Sequence, residues 1–444
     1  MAGSKRSRSI GESDERRPSP PAPLPPKKPA YLSTKSGLAT AFPSPTSALD
    51  DDEHHDSLIA DNGGKSDENS LTDQALVQEV LKIVANESKA KVMILESMRK
   101  YSFNLLRLKE LLRENHLEVS FSKVEYTDIA PLVGLQPHAR GNDIRTFDMF
   151  RARLPNHVFN GIIRDLGVFS KQYGPVGQHQ NEEARSRYLS AYFNQIVAMF
   201  GGLLFNTPET ILEGRITTKG RIEYQFQTYG GITVVFIEVK LDIGSSRERL
   251  NCVAQVITEC GACAWMNYQR GYQIPILAVL CDGNYFYFFK FIDRHGPHKN
   301  PLFLGGKYAN GHRVMKIEDI DLMPTADSRT YFQQIRQTCE SFYYIFLIAY
   351  QCGLEAYWQL SLEKSRTEGK GRESTPRWHR AVVYAKAAVD EALLAWRLID
   401  QGDVTGSMES AERAAELLAE SVEEAPFTRH DLFSEYTEDM ANVP

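Results

Sequence analysis

Two acids and an amine occur close together in one apolar stretch of this 444-residue chain: Glu223, then Glu238, then Lys240. Side chains alternate along a strand, so Glu238 and Lys240 share a face. They stand at the end of the run 232–241, which is β-branched and apolar on both faces until Glu238, as a central strand covered on both sides should be. An unpaired carboxylate or ammonium there costs several kcal/mol, so the pair must bind each other, bind an ion, or sit at an open sheet edge. If Glu223 reaches the same cleft, two carboxylates beside a lysine make a hard-cation site suited to Mg2+ or Mn2+, since magnesium takes few protein oxygens and keeps several waters. The chemistry of such a site is phosphodiester hydrolysis: the metal polarises the phosphate and helps create a hydroxide, and the lysine holds the water and stabilises developing negative charge. The competing reading is a surface Glu-x-Lys salt bridge worth less than about 1 kcal/mol. Asp242 lies on the same strand face, either as an alternative ligand or as a solvated strand end.

The flanking pattern predicts the elements that would position these groups. Leu189, Phe193, Ile196 and Phe200 form one helical stripe ended by Gly201 and Gly202. Three extended runs follow, 211–217, 221–228 and 232–241, punctuated by Lys219-Gly220 and Gly230-Gly231. If the last two pair as a hairpin, Glu223 comes to the cleft of Glu238. Ser246 is a candidate N-cap for a helix to about residue 268. Strands 274–280 and 285–291 are joined through Asp282-Gly283, a strong hairpin signal. The order is α-β-β-β-α-β-β.

Glu223 and the Glu238-Val239-Lys240 tripeptide, set in that order, resemble the PD-(D/E)XK nuclease superfamily, the restriction-endonuclease-like fold. Gln255-x-x-x-Glu259 is similar to the helical glutamine motif of several branches, and Glu182 or Glu183 stands where the family often places another acid. Glu182, seven residues before Leu189, shares the inward stripe and is the preferred candidate. The segments Pro208-Glu-Thr-Ile, Gly220-Arg-Ile-Glu-Tyr, Phe236-Ile-Glu-Val-Lys, Ala254-Gln-Val-Ile-Thr-Glu and Val279-Leu-Cys-Asp-Gly resemble most closely a group of fungal proteins thought to carry this fold. The resemblance covers residues 181–293. It implies an α/β (α+β) core, α-β-β-β-α-β with a mixed central sheet, flanked by N- and C-terminal helices. It also implies Glu223 and Glu238 as metal ligands assisted by the Val239 carbonyl, with Lys240 positioning the water. Gln255 would support or contact substrate, and Glu182 would complete the acidic shell. Two positions depart from the family pattern: Glu replaces the usual Asp at 223, and Ile222 stands where a proline is usual. An extra methylene can move a carboxylate by more than an ångström, and misplacement on that scale can cost about 100-fold in rate. The expected activity is therefore hydrolysis of nucleic acid, DNA before RNA. The alternative is a nuclease fold without catalysis that acts as a nucleic-acid or protein recognition module.

The rest of the chain bounds these expectations. A formal charge of -6 gives no chain-wide basic field, so nucleic acid must be met by a local patch. Arg215, Lys219, Arg221, Arg247 and Arg249, with Arg270, Tyr268 and Tyr272, are the candidate phosphate-tracking rim. Residues 1–70, proline-rich then acidic with almost no aromatics, are expected to stay disordered. Within them Lys5-Arg6, Arg16-Arg17 and Lys27-Lys28 resemble a two-part nuclear import signal. The longest apolar run, 342–350, falls far short of the roughly 20 residues that cross a bilayer, and no apolar segment follows the first residues. An intracellular home, nucleus or cytoplasm, and no membrane span are expected. Six cysteines then read as reduced thiols; Cys260-x-x-Cys263 lacks the second ligand pair a zinc site needs, and His295 and His298 read as a surface turn. Residues 71–180 are expected to form a helical N-terminal segment, 181–293 the nuclease-like core, and 294–364 a loop and an aromatic-rich helix packed on that core. A linker at 365–376 leads into a helical hairpin and tail over 377–444. Trp378, Val382, Ala385, Val389, Ala392, Trp396 and Ile399 repeat at alternating four and three there, for packing within the chain or for docking a protein partner.

Overall fold

The computed structural model describes residues 124–207, 210–212, 220–243, 246–294, 300–318, 328–367 and 375–426. The tail, the import-like pairs, the part of the expected helical N-terminal segment before residue 124, Arg215, Lys219, His295 and His298 lie outside them. The described residues make a mixed α/β fold with eight α-helices and a mixed eight-stranded sheet. In chain order these are α1 (Tyr126–Ile129), β1 (Arg145–Asp148), α2 (Asn156–Tyr173), α3 (Glu182–Ser190), α4 (Asn194–Ala198), β2 (Leu204–Asn206), β3 (Thr210–Leu212), β4 (Gly220–Ile222), β5 (Tyr224–Thr228) and β6 (Ile232–Val239). Then come α5 (Ser246–Gln269), β7 (Ile276–Cys281), β8 (Tyr285–Ile292), β9 (Leu302–Lys307), β10 (Met315–Lys316), α6 (Ser328–Thr367), α7 (Thr375–Asp400) and α8 (Val404–Glu424).

The sheet order is β1-β9-β8-β7-β6-β5-β2, with β10 paired to β8. β5 and β6 are an antiparallel hairpin and β7 runs parallel to β6, with Val239 opposite Cys281. The hairpin turn needs two consecutive left-handed residues, which Gly230 (φ 81°) and Gly231 (φ 68°) supply without a Cβ penalty. All eight residues of β6 are buried. Val235, Ile237 and Val239 belong to a core beneath α6, and Phe236 to a second core beneath α5. A strand covered on both faces has no solvated side, which is why its sequence is apolar from Val234 to Ile237, and why the one polar residue before Glu238, Thr233, is hydrogen-bonded through both its hydroxyl and its amide.

Several sequence expectations are corrected by this arrangement. Residues 124–180 are not a purely helical segment: β1 enters the sheet as a parallel neighbour of β9. Residues 294–364 contain two strands, β9 and β10, before the aromatic helix. The extended run at 211 does not join the main sheet; β3 pairs only with β4 in a separate ribbon, and β2 occupies the place beside β5. The stripe Leu189–Phe200 is broken at 191–193 into α3 and α4, although all four of its apolar residues are buried. Glu223 is not inside a strand. It occupies the bend between β4 and β5.

The forty residues of α6 run along one face of the sheet, with Phe342, Tyr343, Phe346 and Tyr350 buried against β5 to β8 and α4. Phe346 meets Phe226 edge-on at 4.8 Å. α7 and α8 form a hairpin that packs on α6, its seam built from small residues including Ala381, Ala388, Ala392, Ala414 and Ser421. Ser421 donates to the Ala381 carbonyl at 2.7 Å and contacts the Tyr350 hydroxyl at 3.1 Å, so the hairpin is tied to α6 by a buried polar link. Among the described residues no helix is long and apolar enough to cross a membrane.

Candidate functional site

β6 delivers Glu238 to the α5 face and ends at Val239; the chain stays in register for one more residue, the Lys240 amide donating to the Cys281 carbonyl at 2.9 Å. Lys240 Nζ lies 2.6 Å from Glu238 Oε1 and 3.8 Å from Glu182 Oε1. The opposite wall is α5, whose Gln255 and Glu259, one turn apart, look onto the same strand end. Gln255 Nε2 donates to Glu238 Oε1 at 2.6 Å and to Glu259 Oε1 at 2.9 Å, so one amide spans two carboxyls. Glu223 comes in from the neighbouring strand: the bend before β5 sets it beside the end of β6, where it takes the Val239 backbone N–H and senses Glu238, Lys240 and Glu182. Glu223, Glu238, Lys240, Gln255 and Glu182 are therefore brought together, on four different elements.

Three of these carboxyls are buried with an oxygen to spare. Glu223 Oε2, Glu238 Oε2 and Glu259 Oε2 are inaccessible and no N–H or hydroxyl donor reaches them; Glu238 and Glu259 share a hydrogen bond only if one of the two carboxyls carries a proton. Buried acceptors are almost always satisfied, so three orphans in one cluster need a cause. Proton affinity reports the same imbalance. Burial, reinforced by Glu238, pushes the Glu223 carboxyl from its ordinary 4.5 up to about 8. Burial and then Glu238 raise Glu259 well above the usual range. Burial raises Glu238 too, opposed by Lys240. Burial alone would lower Lys240, but its contact with Glu238 overrides this and holds the ammonium protonated above its ordinary value. One ammonium faces three buried carboxyls, and the cluster has room for further positive charge.

Positioning comes from groups that pattern reading did not single out. Arg185, only 4% exposed, sits one turn from Glu182 on α3. Its guanidinium donates to the carbonyls of Leu241 (3.0 Å), Val176 (2.6 Å) and Asp282, and to His179 Nδ1 (3.1 Å). Burial keeps His179 below its ordinary proton affinity, so its Nδ1 is free to accept. Asp282 in turn accepts the Ile243 amide at 3.1 Å and the amides of Asn284 and Tyr285. The residues after Lys240 are thus clamped to both α3 and the β7–β8 turn. Ser186 and the Tyr224 hydroxyl exchange bonds at 2.8 and 2.9 Å, which ties α3 to the strand that follows Glu223. Glu259 was visible only as the last residue of the Gln255-x-x-x-Glu259 spacing; Arg185 left no signal beyond its i+3 spacing from Glu182.

Other candidates separate from the cluster. Glu183 points away and pairs with Arg187 at 2.9 Å, which leaves Glu182 as the acid at the mouth. Asp242 is exposed beyond the strand. Arg221 lies in β4, Arg247 in the first turn of α5, and Arg249, two positions further along that helix, is half-buried. Arg270 does not join a rim with them: it donates to the Gly231 carbonyl at the hairpin turn, the opposite end of β6 from Lys240, and Tyr272 also packs at that end, against Gly230. An eight-residue strand separates the two ends by about 25 Å. Cys260 and Cys263 are buried in α5 with their thiols raised by burial, which makes them inert packing groups. Among the described residues no group of three His, Cys, Asp or Glu side chains is set to hold a metal ion. Magnesium needs fewer: one or two protein carboxylates suffice when water and phosphate complete the shell. The orphaned oxygens of Glu223 and Glu238 fit that requirement. No protein-family model and no curated protein matches the chain.

Proposed function

We propose that the chain is a divalent-metal-dependent nuclease of the PD-(D/E)XK type, which hydrolyses phosphodiester bonds in nucleic acid, DNA before RNA. The observation that carries this reading is the convergence of Glu223, Glu238 and Lys240, with Glu259 beside them, in one buried cluster where no N–H or hydroxyl donor reaches the second oxygen of any of the three carboxyls. The topology supports it: an antiparallel β5–β6 hairpin, β7 parallel to β6 after the crossover helix α5, β2 beside β5, and α3 ahead of them are what a restriction-endonuclease-like core requires.

In this reading Glu223 and Glu238 hold Mg2+ or Mn2+, with the Val239 carbonyl as a further oxygen. When bound, the ion supplies Lewis-acid polarisation of the phosphodiester and acidifies water. The residues of the chain do the rest. Lys240 stays an ammonium, so it donates to the attacking water or to the phosphate oxygens and offsets charge as it develops; it does not take up a proton. Gln255 fixes the Glu238 carboxyl by donating to it, and Glu259 holds the other hydrogen of that amide. Glu182 stands at the exposed mouth, 3.8 Å from Lys240, where it biases the ammonium's position.

One observation favours a second reading, a recognition module that retained the fold without catalysis: Lys240 is already neutralised by Glu238 at 2.6 Å. One assay separates the two. Purified protein and the Lys240→Ala variant are incubated with plasmid and single-stranded DNA and RNA in Mg2+ or Mn2+, alongside calorimetric titration with either ion. Cleavage by the wild type only, with saturable metal binding, supports the nuclease. No cleavage by either protein and no metal binding supports the module.

A further inference from the structure

The connection 174–181 runs from α2 to α3, and its last residue, Asn181, caps α3 by accepting the Ala184 amide at 2.8 Å. Glu182, the acid at the mouth of the cluster, is the next residue, so its position follows this connection. Two contacts with Arg185 hold the connection in place: the Val176 carbonyl accepts Nη2 at 2.6 Å, and His179 Nδ1 accepts Nε at 3.1 Å. Nη1 meanwhile donates to the carbonyls of Leu241 (3.0 Å) and Asp282. A single guanidinium thus joins the connection to the end of β6 and to the β7–β8 turn. Gly283 of that turn, at φ 95°, lets Val176 close onto it, since a methyl there would lie 2.6 Å from the Val176 side chain.

The His179 contact exists in one charge state only. An arginine N–H can only donate, so Nδ1 of His179 must accept and carries no proton. Nε2 carries it instead and donates to the Gly174 carbonyl at 3.1 Å. Both ring nitrogens are engaged, and the ring is neutral. A proton added at Nδ1 turns the acceptor into a donor facing a donor, and brings an imidazolium within 3.1 Å of the guanidinium Nε. No neighbour offsets that charge. From α3, Tyr188 meets the ring edge-on with 5.5 Å between centroids, Glu183 is taken by Arg187, and Glu182 faces Lys240. In the β7–β8 turn the Asp282 carboxylate is occupied by the amides of Ile243, Asn284 and Tyr285. Among the described residues no carboxylate reaches the ring, and burial above all, opposed by the Gly174 bond and reinforced by Arg185, lowers its proton affinity. Once the ring is charged, Arg185 keeps two carbonyls on the sheet side and only Val176 on the other, so it is the connection that lets go.

We propose that the connection 174–181 is an acid-released latch: protonation of His179 ejects the ring from Arg185, frees the connection from the β7–β8 turn, and carries Glu182 away from Lys240. The latch stands on these contacts alone, whereas its consequence, wider access to the cluster, rests on the nuclease reading. The released ring has its ordinary affinity of 6.5 and the latched ring a lower one, so above 6.5 pH leaves the latch unchanged. Below it, each pH unit favours release by up to about tenfold, until the latched ring itself takes a proton. Hydrogen exchange of the full chain, in EDTA and without nucleic acid, is read by mass spectrometry at pH 7.5, 6.5 and 5.5 and corrected for intrinsic exchange rates. Peptides spanning 174–190 should keep their protection from pH 7.5 to 6.5 and lose it by up to about tenfold between 6.5 and 5.5, while β7 and β8 hold theirs. His179→Gln, which keeps an acceptor and a donor but cannot ionise, should show no such loss. His179→Lys, charged throughout, should expose the same peptides already at pH 7.5. Thermal melts establish that each variant is folded. Wild-type protection at 174–190 that stays level down to pH 5.5 overturns the proposal whatever the variants do. So does a His179→Gln variant that loses protection in parallel with the wild type, or a folded His179→Lys variant that stays closed. Cleavage is not read, so a chain without nuclease activity supports or overturns the latch by the same outcomes.

Discussion

Glu223 makes the metal-free protein lose stability as pH rises, against the usual acid-denaturation trend. Its carboxyl has an ordinary affinity at 4.5 and, buried beside Glu238, a folded value of about 8. Below 4.5 the group is neutral in both states and contributes no difference. Between the two values the unfolded chain releases its proton while the folded chain keeps it, so folding becomes less favourable with each pH unit by about 1.4 kcal/mol. Over that window the loss amounts to about 5 kcal/mol, a large part of the roughly 5–15 kcal/mol that holds a typical domain folded. Urea denaturation in EDTA at pH 5, 6, 7, 8 and 9 reads this directly. Glu223→Gln keeps an acceptor for the Val239 amide but cannot ionise, so its stability curve should be flatter and should cross above that of the wild type near neutrality. Added Mg2+ should restore wild-type stability more at pH 8 than at pH 5, because a cation replaces the proton. Parallel pH curves for the two proteins would refute the reasoning, since the cluster would then not be short of positive charge.

Three further outcomes follow from the same contacts. Lys240→Met leaves the buried Glu238 without its ammonium and should cost about 3–5 kcal/mol near neutral pH, most of it recovered in the Lys240→Met/Glu238→Gln double variant, as read in a denaturant double-mutant cycle. Arg185→Met strands three carbonyls that now share one guanidinium and should lower the melting temperature strongly, and Arg185→Lys should not rescue it because an ammonium cannot fork to them. Gly353→Ala puts a methyl 2.5 Å from Thr228 Oγ1 where α6 crosses β5, so a loss of about 1–3 kcal/mol is expected, relieved when Thr228→Ala is combined with it.

Much of the site was readable along the chain because its key residues are placed by local rules. The alternation of a strand puts Glu238 and Lys240 on one face, the Gly230-Gly231 turn folds β5 back on β6, and the i, i+4 spacing of α5 aligns Gln255 with Glu259. Seven-residue spacing from Leu189 distinguishes Glu182 from Glu183, and α3 turns the first toward Lys240 and the second toward Arg187. Composition told equally plainly that β6 is central, since only a strand covered twice can be apolar on both faces.

Other features have no local signature. β9 reads Leu-Phe-Leu-Gly-Gly-Lys, and its glycines look like a loop until β8 lies against them: a Cβ on Gly306 would come within 3.3 Å of the Phe288 backbone carbonyl. β1 is short and polar, and is a strand only because β9 offers a parallel partner more than 150 residues away. The rim suggested by scattered arginines depended on which end of the sheet each one reached, and the 24-residue α5 carries Arg270 to the far end. Residue types and short-range spacing determine which face a side chain takes, because backbone geometry repeats every two or 3.6 residues. Which faces meet, and hence that three carboxyls are buried together with too little positive charge, was decided only by the tertiary structure, because desolvation and long-range pairing depend on neighbours the chain brings in from elsewhere.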